Sequence, residues 1–333
     1  MPGKYGSPSA FFRCDGYNML SMKLQSFRHK ETSITEEASG VGDTYEIQSP
    51  TGMSKVEVSQ GGGFFDTSTN GGHAALVTSL PSSPQATPRI VCFGYVTEAV
   101  GSLFTGIQGA FTATYEVLAQ VGKLTKANTD YVVSGQVDHG QVIQPLATKT
   151  ADWNTKTLAT TVDYTTDPSQ RVIPITSATK ANPCVVTTTV PHGLTTGQII
   201  LVADNTLTGT TINVSQTVTV VSTTTFSNGI NTSGSGGAGT GGTLVRASTV
   251  NGGAGYQQIT AFSGFTGFVG KIRDSADDTT YADLVTFTNV TAAPSAERGT
   301  VSGTVDRYIC YDGNVTGSGS IDAFAGFARG LPL

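Results

Sequence analysis

Apolar and polar residues alternate in short runs along most of this chain, with Thr and Val prominent inside the runs and Gly, Pro, Asn and Ser between them. KANPCVVTTTVPHGLTTGQIILVADNTL, from Lys180, and INVSQTVTVVSTTTFSNG, from Ile212, show the habit clearly. A period of two sends successive side chains to opposite faces of a strand, and β-branched residues suit a pleated, half-buried surface. Long helical patterns are scarce. The best candidate for a helical turn is SITEE (Ser33 to Glu37), where Ser33 and Glu36 have capping-box spacing. The pattern predicts a mainly β protein.

The pattern also repeats. VSGQVD at 133–138 returns as VSGTVD at 301–306. Upstream, AFTATYEVLAQV from Ala110 resembles ADDTTYADLVTF from Ala276, so that Tyr115 answers Tyr281. Further upstream, TNGGHAALVTSL from Thr69 resembles VNGGAGYQQITAF from Val250, with SLPSSPQATP (79–88) as an extra loop in the first copy. Three matches in one order point to two diverged copies of a β unit; the competing account is that Gly- and Thr-rich sequence repeats by composition alone.

The second copy is interrupted. GGGFFDTSTNGG is continuous at 61–72, whereas its counterpart is split between TTVDYTTD, from Thr160, and STVNGG, from Ser248. The alternating segments between them predict a small inserted β-sandwich over residues 171–246. Its Gly/Ser-rich end, Ser233 to Gly242, is expected to be a flexible linker. An inserted domain needs its two ends close together. Residues 30–60 are too long for a tight hairpin and lack a counterpart in the second copy, so a long functional loop is expected there.

Length and charge narrow the function. A chain of 333 residues has room for two domains and a small third. Its net charge of −5 comes without a basic patch that would neutralise DNA phosphates. No apolar run approaches the ~18 residues of a membrane span. MPGKYGSPSAFF lacks the apolar core of a signal peptide, so a soluble protein assembled in the cytoplasm is expected. Cys14, Cys92, Cys184 and Cys310 have no paired spacing and are expected as free, mostly buried thiols.

Candidate chemistry is thin. His29, His73, His139 and His192 show no metal-ligand spacing, and His192 in VPHGLTTG suits a turn. Glu36 with Glu37 and Asp277 with Asp278 are sequence neighbours in polar contexts, better read as solvated loop charges than as a glycosidase pair. Asp138 and Asp306 hold equivalent places in the repeat, which suggests structure. The Gly-rich stretches form no phosphate-binding loop. Tyr45, Met53, Phe64 and Phe65 suit interface anchors or core residues equally. No catalytic residue, metal or cofactor is expected.

DSADDTTYADLVTF, the ER…VSGTVDRY strand and the GSGSIDAFAGFARG ending resemble the tail tube (major tail) proteins of long-tailed bacteriophages. The stretch KLQSFRHKETSITEEASGVGDTYEIQSPTGMSKVEVSQGGGFFD is similar to their N-terminal region, and the insert resembles small immunoglobulin-like modules of phage tails. The resemblance implies tube-type β-sandwich or half-barrel domains: one at 1–145, with an N-terminal arm and the long 30–60 loop, and a second at 146–170 plus 247–333. It implies hexameric rings stacked into a hollow tube that passes DNA. Two units per chain depart from the usual one, so three chains would supply six units. The implied partners are further copies of the chain, a tape measure protein, tail terminator or tip proteins, and DNA in transit without specific binding; no membrane binding is expected. Ile34, Glu36, Glu37, Tyr45, Met53, Phe64 and Phe65 become inter-subunit contact candidates. A sugar-binding adhesion protein of the tail tip is the alternative, and a polysaccharide-degrading enzyme the third reading. Aromatic content of 8% with one Trp offers few sugar platforms.

Overall fold

The computed structural model describes residues 10–19, 25–37, 48–67, 71–79, 88–95, 97–154, 161–168 and 170–330. The first part of the chain supplies β1 (Phe11–Cys14), β2 (Tyr17–Asn18), β3 (Ser26–Glu37), β4 (Gln48–Phe64), helix α1 (Gly72–Ser79) and β5 (Arg89–Gly94). It continues with β6 (Leu103–Leu118), β7 (Lys126–Val133), β8 (Val137–Lys149), β9 (Trp153–Asn154) and β10 (Val162–Asp163). Eight short strands follow: β11 (Ile173–Ala178), β12 (Val185–Thr188), β13 (Ile199–Ala203), β14 (Ser215–Thr217), β15 (Thr219–Val220), β16 (Thr225–Ser227), β17 (Gly239–Thr240) and β18 (Thr243–Arg246). The chain then returns with β19 (Gly253–Ser275), β20 (Ala282–Thr286), β21 (Ser295–Val301) and β22 (Tyr308–Arg329). The mainly β class follows from the alternation.

Two sheets hold these strands. A 14-stranded sheet runs β2-β1-β5-β6-β8-β22-β19-β20, with β7, β4 and β3 branching from β6. The two halves of the chain therefore share one sheet. Their seam is β8 on β22, where Gln141 faces Phe327 and Lys149 faces Ile321. The eight strands of residues 173–246 form a separate sheet with its own core of Ile175, Val186, Ile200 and Phe226. Phe12, Phe93, Ile107 and Tyr131 fill the first half, and Ile259, Phe268, Ile272 and Tyr311 the second. Phe11, Phe104, Val142, Tyr256 and Phe324 pack across the seam. Apolar side chains from both halves thus leave water together, which makes the seam a core in its own right.

The two hexapeptides occupy the same kind of place. Each carries the chain from one strand to the next across a third strand. Val133 ends β7 opposite Ala110, and Val137 opens β8 opposite Ile107. Val301 ends β21 opposite Gly253, and Val305 bridges to Thr249. In the first crossing β6 bends at Gly109, whose φ is +91°. There a Cβ on Gly135 would lie 1.8 Å from the Gln108 carbonyl oxygen. In the second crossing nothing lies within 4 Å of a Cβ on Gly303, but its φ of +89° favours glycine.

The other matches do not hold. Gly72, the last residue of TNGG, opens helix α1, where Ala75 and Leu76 are buried, whereas Gly253, the last residue of VNGG, opens strand β19. Tyr115 stands inside β6 opposite Thr129, whereas Tyr281 precedes β20 at the far end of β19. The Ser79–Pro88 loop lies mostly outside the described residues. SITEE is no helical turn: it belongs to β3, where pairing with β4 overrides the capping pattern. The expected 30–60 loop is a long antiparallel hairpin of β3 and β4, running from Ser26 opposite Gly61 to Glu37 opposite Gln48. The Gly/Ser stretch is no free linker either. Ser235 is buried, Thr232 Oγ1 donates to the Thr179 carbonyl at 2.8 Å, and Gly239–Thr240 is strand β17 on β11.

Candidate assembly surfaces

Strand edges come first, because an unpaired edge offers a row of N–H and C=O groups to another chain. Among the described residues β3 pairs with β4 alone, and β20 with β19 alone. The β3–β4 hairpin also overhangs its support. β4 meets β7 only from Glu57, opposite Val132, to Phe64, opposite Lys126. Residues 48–56 of β4 therefore have β3 as their one ladder partner among the described residues.

Most contact candidates fall on this arm. Ile34 and Glu36 are exposed on β3, and Glu37 is its last residue. Met53 lies in the overhanging part of β4, and Phe64 ends that strand beside β7. Phe65 is half-buried, its ring 4.4 Å from that of His73. His73 Nδ1 in turn lies 2.5 Å from the Tyr115 hydroxyl, so Phe65 belongs to the contact between α1 and β6. Tyr45 lies outside the described residues.

The seam is closed by a polar network that sequence reasoning missed. Asp138, at the end of the first hexapeptide, accepts from the Tyr256 hydroxyl at 2.5 Å and from Arg298 Nε at 2.9 Å. Arg298 also donates to Gln136 Oε1 at 2.6 Å and to Gln108 Oε1 at 3.1 Å. Burial and then the Asp138 charge push the Tyr256 phenol far up, so it stays a donor. Asp306, the counterpart of Asp138, makes no such clamp; its backbone N–H donates to Asp274 Oδ2 at 2.8 Å. The partners come from β19 and β21, more than a hundred residues away, and no local motif announces them.

Where residues 173–246 join the rest, Gln170 ties the two ends together. Its Nε2 donates to the Arg246 carbonyl at 2.9 Å, and its Oε1 accepts the Arg246 N–H at 2.8 Å. One side-chain amide thus completes a strand-like pair. Ala247 N–H donates to the Ile199 carbonyl at 2.8 Å, and Gln198 Nε2 to the Ser248 carbonyl at the same length. Behind them Arg329 stacks on Tyr164 at 4.3 Å and donates to the Val305 and Arg307 carbonyls. Burial pulls its guanidinium down to about 10. A cavity of about 300 Å³ lies here, between Ile143, Val162, Phe327 and the Arg246 and Arg329 side chains.

The remaining candidates have structural surroundings. His192 Nδ1 accepts from the Leu194 N–H at 2.9 Å inside a turn. Asp277 accepts from the N–H groups of Thr280 and Thr279, which hold its carboxyl well below the usual range. Asp278 bonds the Tyr281 hydroxyl. His29 and His139 each place Nε2 at 3.0 Å from Glu31 Oε1. All four cysteines are free and buried. Among the described residues no group of three or more His, Cys, Asp or Glu side chains is placed to hold a metal, and no helix is long and apolar enough to cross a membrane.

No family model matches the chain, and no curated protein does. Solved structures do show likeness. One is a chain of the sheath–tube complex of an extracellular contractile injection system, the PVC particle in its extended state. It is 11% identical with a TM-score of 0.32, and the match covers 43% of this chain and 95% of that one. Another is the SPP1 Dit protein, described as a hub adsorption apparatus in phages infecting Gram-positive hosts. It is 8% identical with a TM-score of 0.29, covering 96% and 98% of the two chains. At TM-scores near 0.3 neither likeness carries an inference about assembly or partners; the chain resembles, at the level of strand arrangement, proteins of injection-system tubes and phage tails.

Proposed function

We propose that this chain is a structural building block of a phage tail tube, with three copies closing a ring of six tube units. The reading divides the chain into a first unit at 1–145, a second at 146–170 plus 247–333, and an inserted module at 171–246. One observation carries it: β8 on β22 joins both halves into a single sheet, while β3 and β20 each keep one edge without a ladder partner among the described residues. Repeating such a junction between chains would extend the sheet head to tail, and a head-to-tail contact closes into a ring when the rotation permits. The β3–β4 arm, with Ile34, Glu36, Glu37 and Met53, would reach a neighbouring copy. The inserted module would project outward, and the lumen would be net negative, letting DNA slide without being held. The 24 acidic against 19 basic residues allow such a lining. Tape measure and terminator or tip proteins would meet the ends of the tube inside the virion.

Electron microscopy of the purified chain tests the reading. Rings or tubes with three chains per ring are the expected result. Six chains per ring, or a lumen dominated by Lys and Arg, would overturn the corresponding part. Discrete particles that bind glycans would favour the tail-tip adhesion reading.

A further inference from the structure

β6 carries an apolar feature at each end. At its start Leu103 and Phe104 help to line a cleft of about 450 Å³ with Phe93, Tyr95, His29 and His139. Tyr95 and Leu103 are 46% and 42% exposed there, a high cost in water for an aromatic ring and a leucine. Thr105 Oγ1 and His139 Nδ1 are engaged with each other at 3.2 Å, so the cleft offers few polar groups to orient a small polar ligand. At the other end Val117 and Leu118 lead into the turn to β7, where Val121 is fully exposed and Leu124 is 67% exposed. Sixteen residues separate the ends, roughly 50 Å at about 3.3 Å per residue. The bend at Gly109 shortens this somewhat.

Charge follows the same division. Lys123 is exposed in the turn between Val121 and Leu124. Glu31 stands beside the cleft, at 3.0 Å from His139 Nε2. The turn itself, residues 119–125, carries one charge, that of Lys123, and the concave end has a carboxylate.

We infer that the β6–β7 turn of one copy seats Val121 and Leu124 in the Tyr95–Leu103 cleft of the next copy, with Lys123 facing Glu31. The occupant of the cleft is thus a second copy of this chain. Knob and cleft are different surfaces at opposite ends of one strand. Such a contact is heterologous and propagates along the strand direction, joining one layer of copies to the next. It rests on the reading that the chain polymerises, and it is separate from the β3–β4 arm.

Disulfide capture between two singly substituted chains tests it. Val121→Cys and Tyr95→Cys are made in separate preparations, mixed under assembly conditions and oxidised. The four native cysteines are buried, so background linkage should be low. The expected product is a linked dimer containing one chain of each kind, absent from either preparation alone. Val121→Asp/Leu124→Asp, with a circular dichroism spectrum like the parent's, should shorten assemblies at least tenfold while leaving single rings. Full-length assemblies from that variant without mixed linkage would overturn this contact and leave polymerisation standing. Absence of any assembly in the unmodified chain would overturn both.

Discussion

In the first half β6 leaves β8 for β7 at Gly109, and the β3–β4 arm follows β7 away from the seam. In the second half β19 keeps β22 beside it from Gly253 opposite Arg329 to Ser275 opposite Tyr308. One half therefore ends in a branched, overhanging hairpin, the other in a long closed ladder. Both contain nearly the same hexapeptide at a strand crossing, with Gln136 in one and Thr304 in the other. The difference lies in which glycine is crowded: Gly135 of the hexapeptide lies against the Gln108 carbonyl in the first half, whereas in the second the crossed segment's Gly252 lies against the Val301 carbonyl and Gly303 has open space.

The sharpest test of that comparison is to add one methyl group to each crossing. Gly135→Ala places a Cβ against the Gln108 carbonyl and should cost about 4 kcal/mol. Gly303→Ala meets no neighbour and strains only the backbone, at about 1–2 kcal/mol. Urea unfolding of both variants measures the gap, and equal costs would mean the crossings are alike after all. Next in size is the clamp. Arg298→Met leaves Asp138 with a weakened set of donors and should cost about 2 kcal/mol. Asp306→Ala should stay within about 0.5 kcal/mol. A similar loss at Asp306 would restore the symmetry that the structure lacks.

Smaller effects are expected away from the seam. Gln170→Ala removes the bridge between the two ends of the 171–246 segment, at about 1 kcal/mol. Faster proteolytic cutting near residue 170, with the rest of the chain intact, is the expected sign; unchanged cutting would assign the tie to Ala247 and Ser248. The smallest effect is a pH slope in the first half. Burial lowers the pKa of His29 from its ordinary 6.5, against the opposing charge of Glu31. Below pH 6.5 the unfolded chain then binds a proton that the folded chain takes up only at lower pH. Stability from this group is present above pH 6.5 and lost as pH falls toward the folded value. Thermal midpoints between pH 7 and 5 should decline, and less steeply in His29→Gln; identical slopes would exclude His29 as the source.

These contrasts also mark what the sequence disclosed. The β class was legible because alternation and β-branching are local properties, and the hexapeptides were legible because a crossing makes similar local demands twice. The glycine pairs were misleading because Gly72 opens a helix and Gly253 a strand, depending on whether Ala75 and Leu76 have a core to enter or Gly253 has strands on both sides. SITEE misled because a capping box has no force once β4 supplies the backbone partners. Arg298 and Gln170 were invisible, since their partners lie 160 and 76 residues away. By residue type Phe65 suited an anchor or a core residue equally, and its ring lies 4.4 Å from that of His73, tilted by 58°, a contact within the chain that residue type alone did not announce.

The β8–β22 junction changes the kinetics of any ring made from such chains. A junction inside one chain forms by folding, at a first-order rate that dilution cannot slow. A six-unit ring of separate units needs five bimolecular associations before it closes, whereas three fused pairs need two, because folding makes the rest. Ring closure would then depend on concentration to a lower power and begin at lower protein levels, so that rings could appear early in synthesis while free chains are still few.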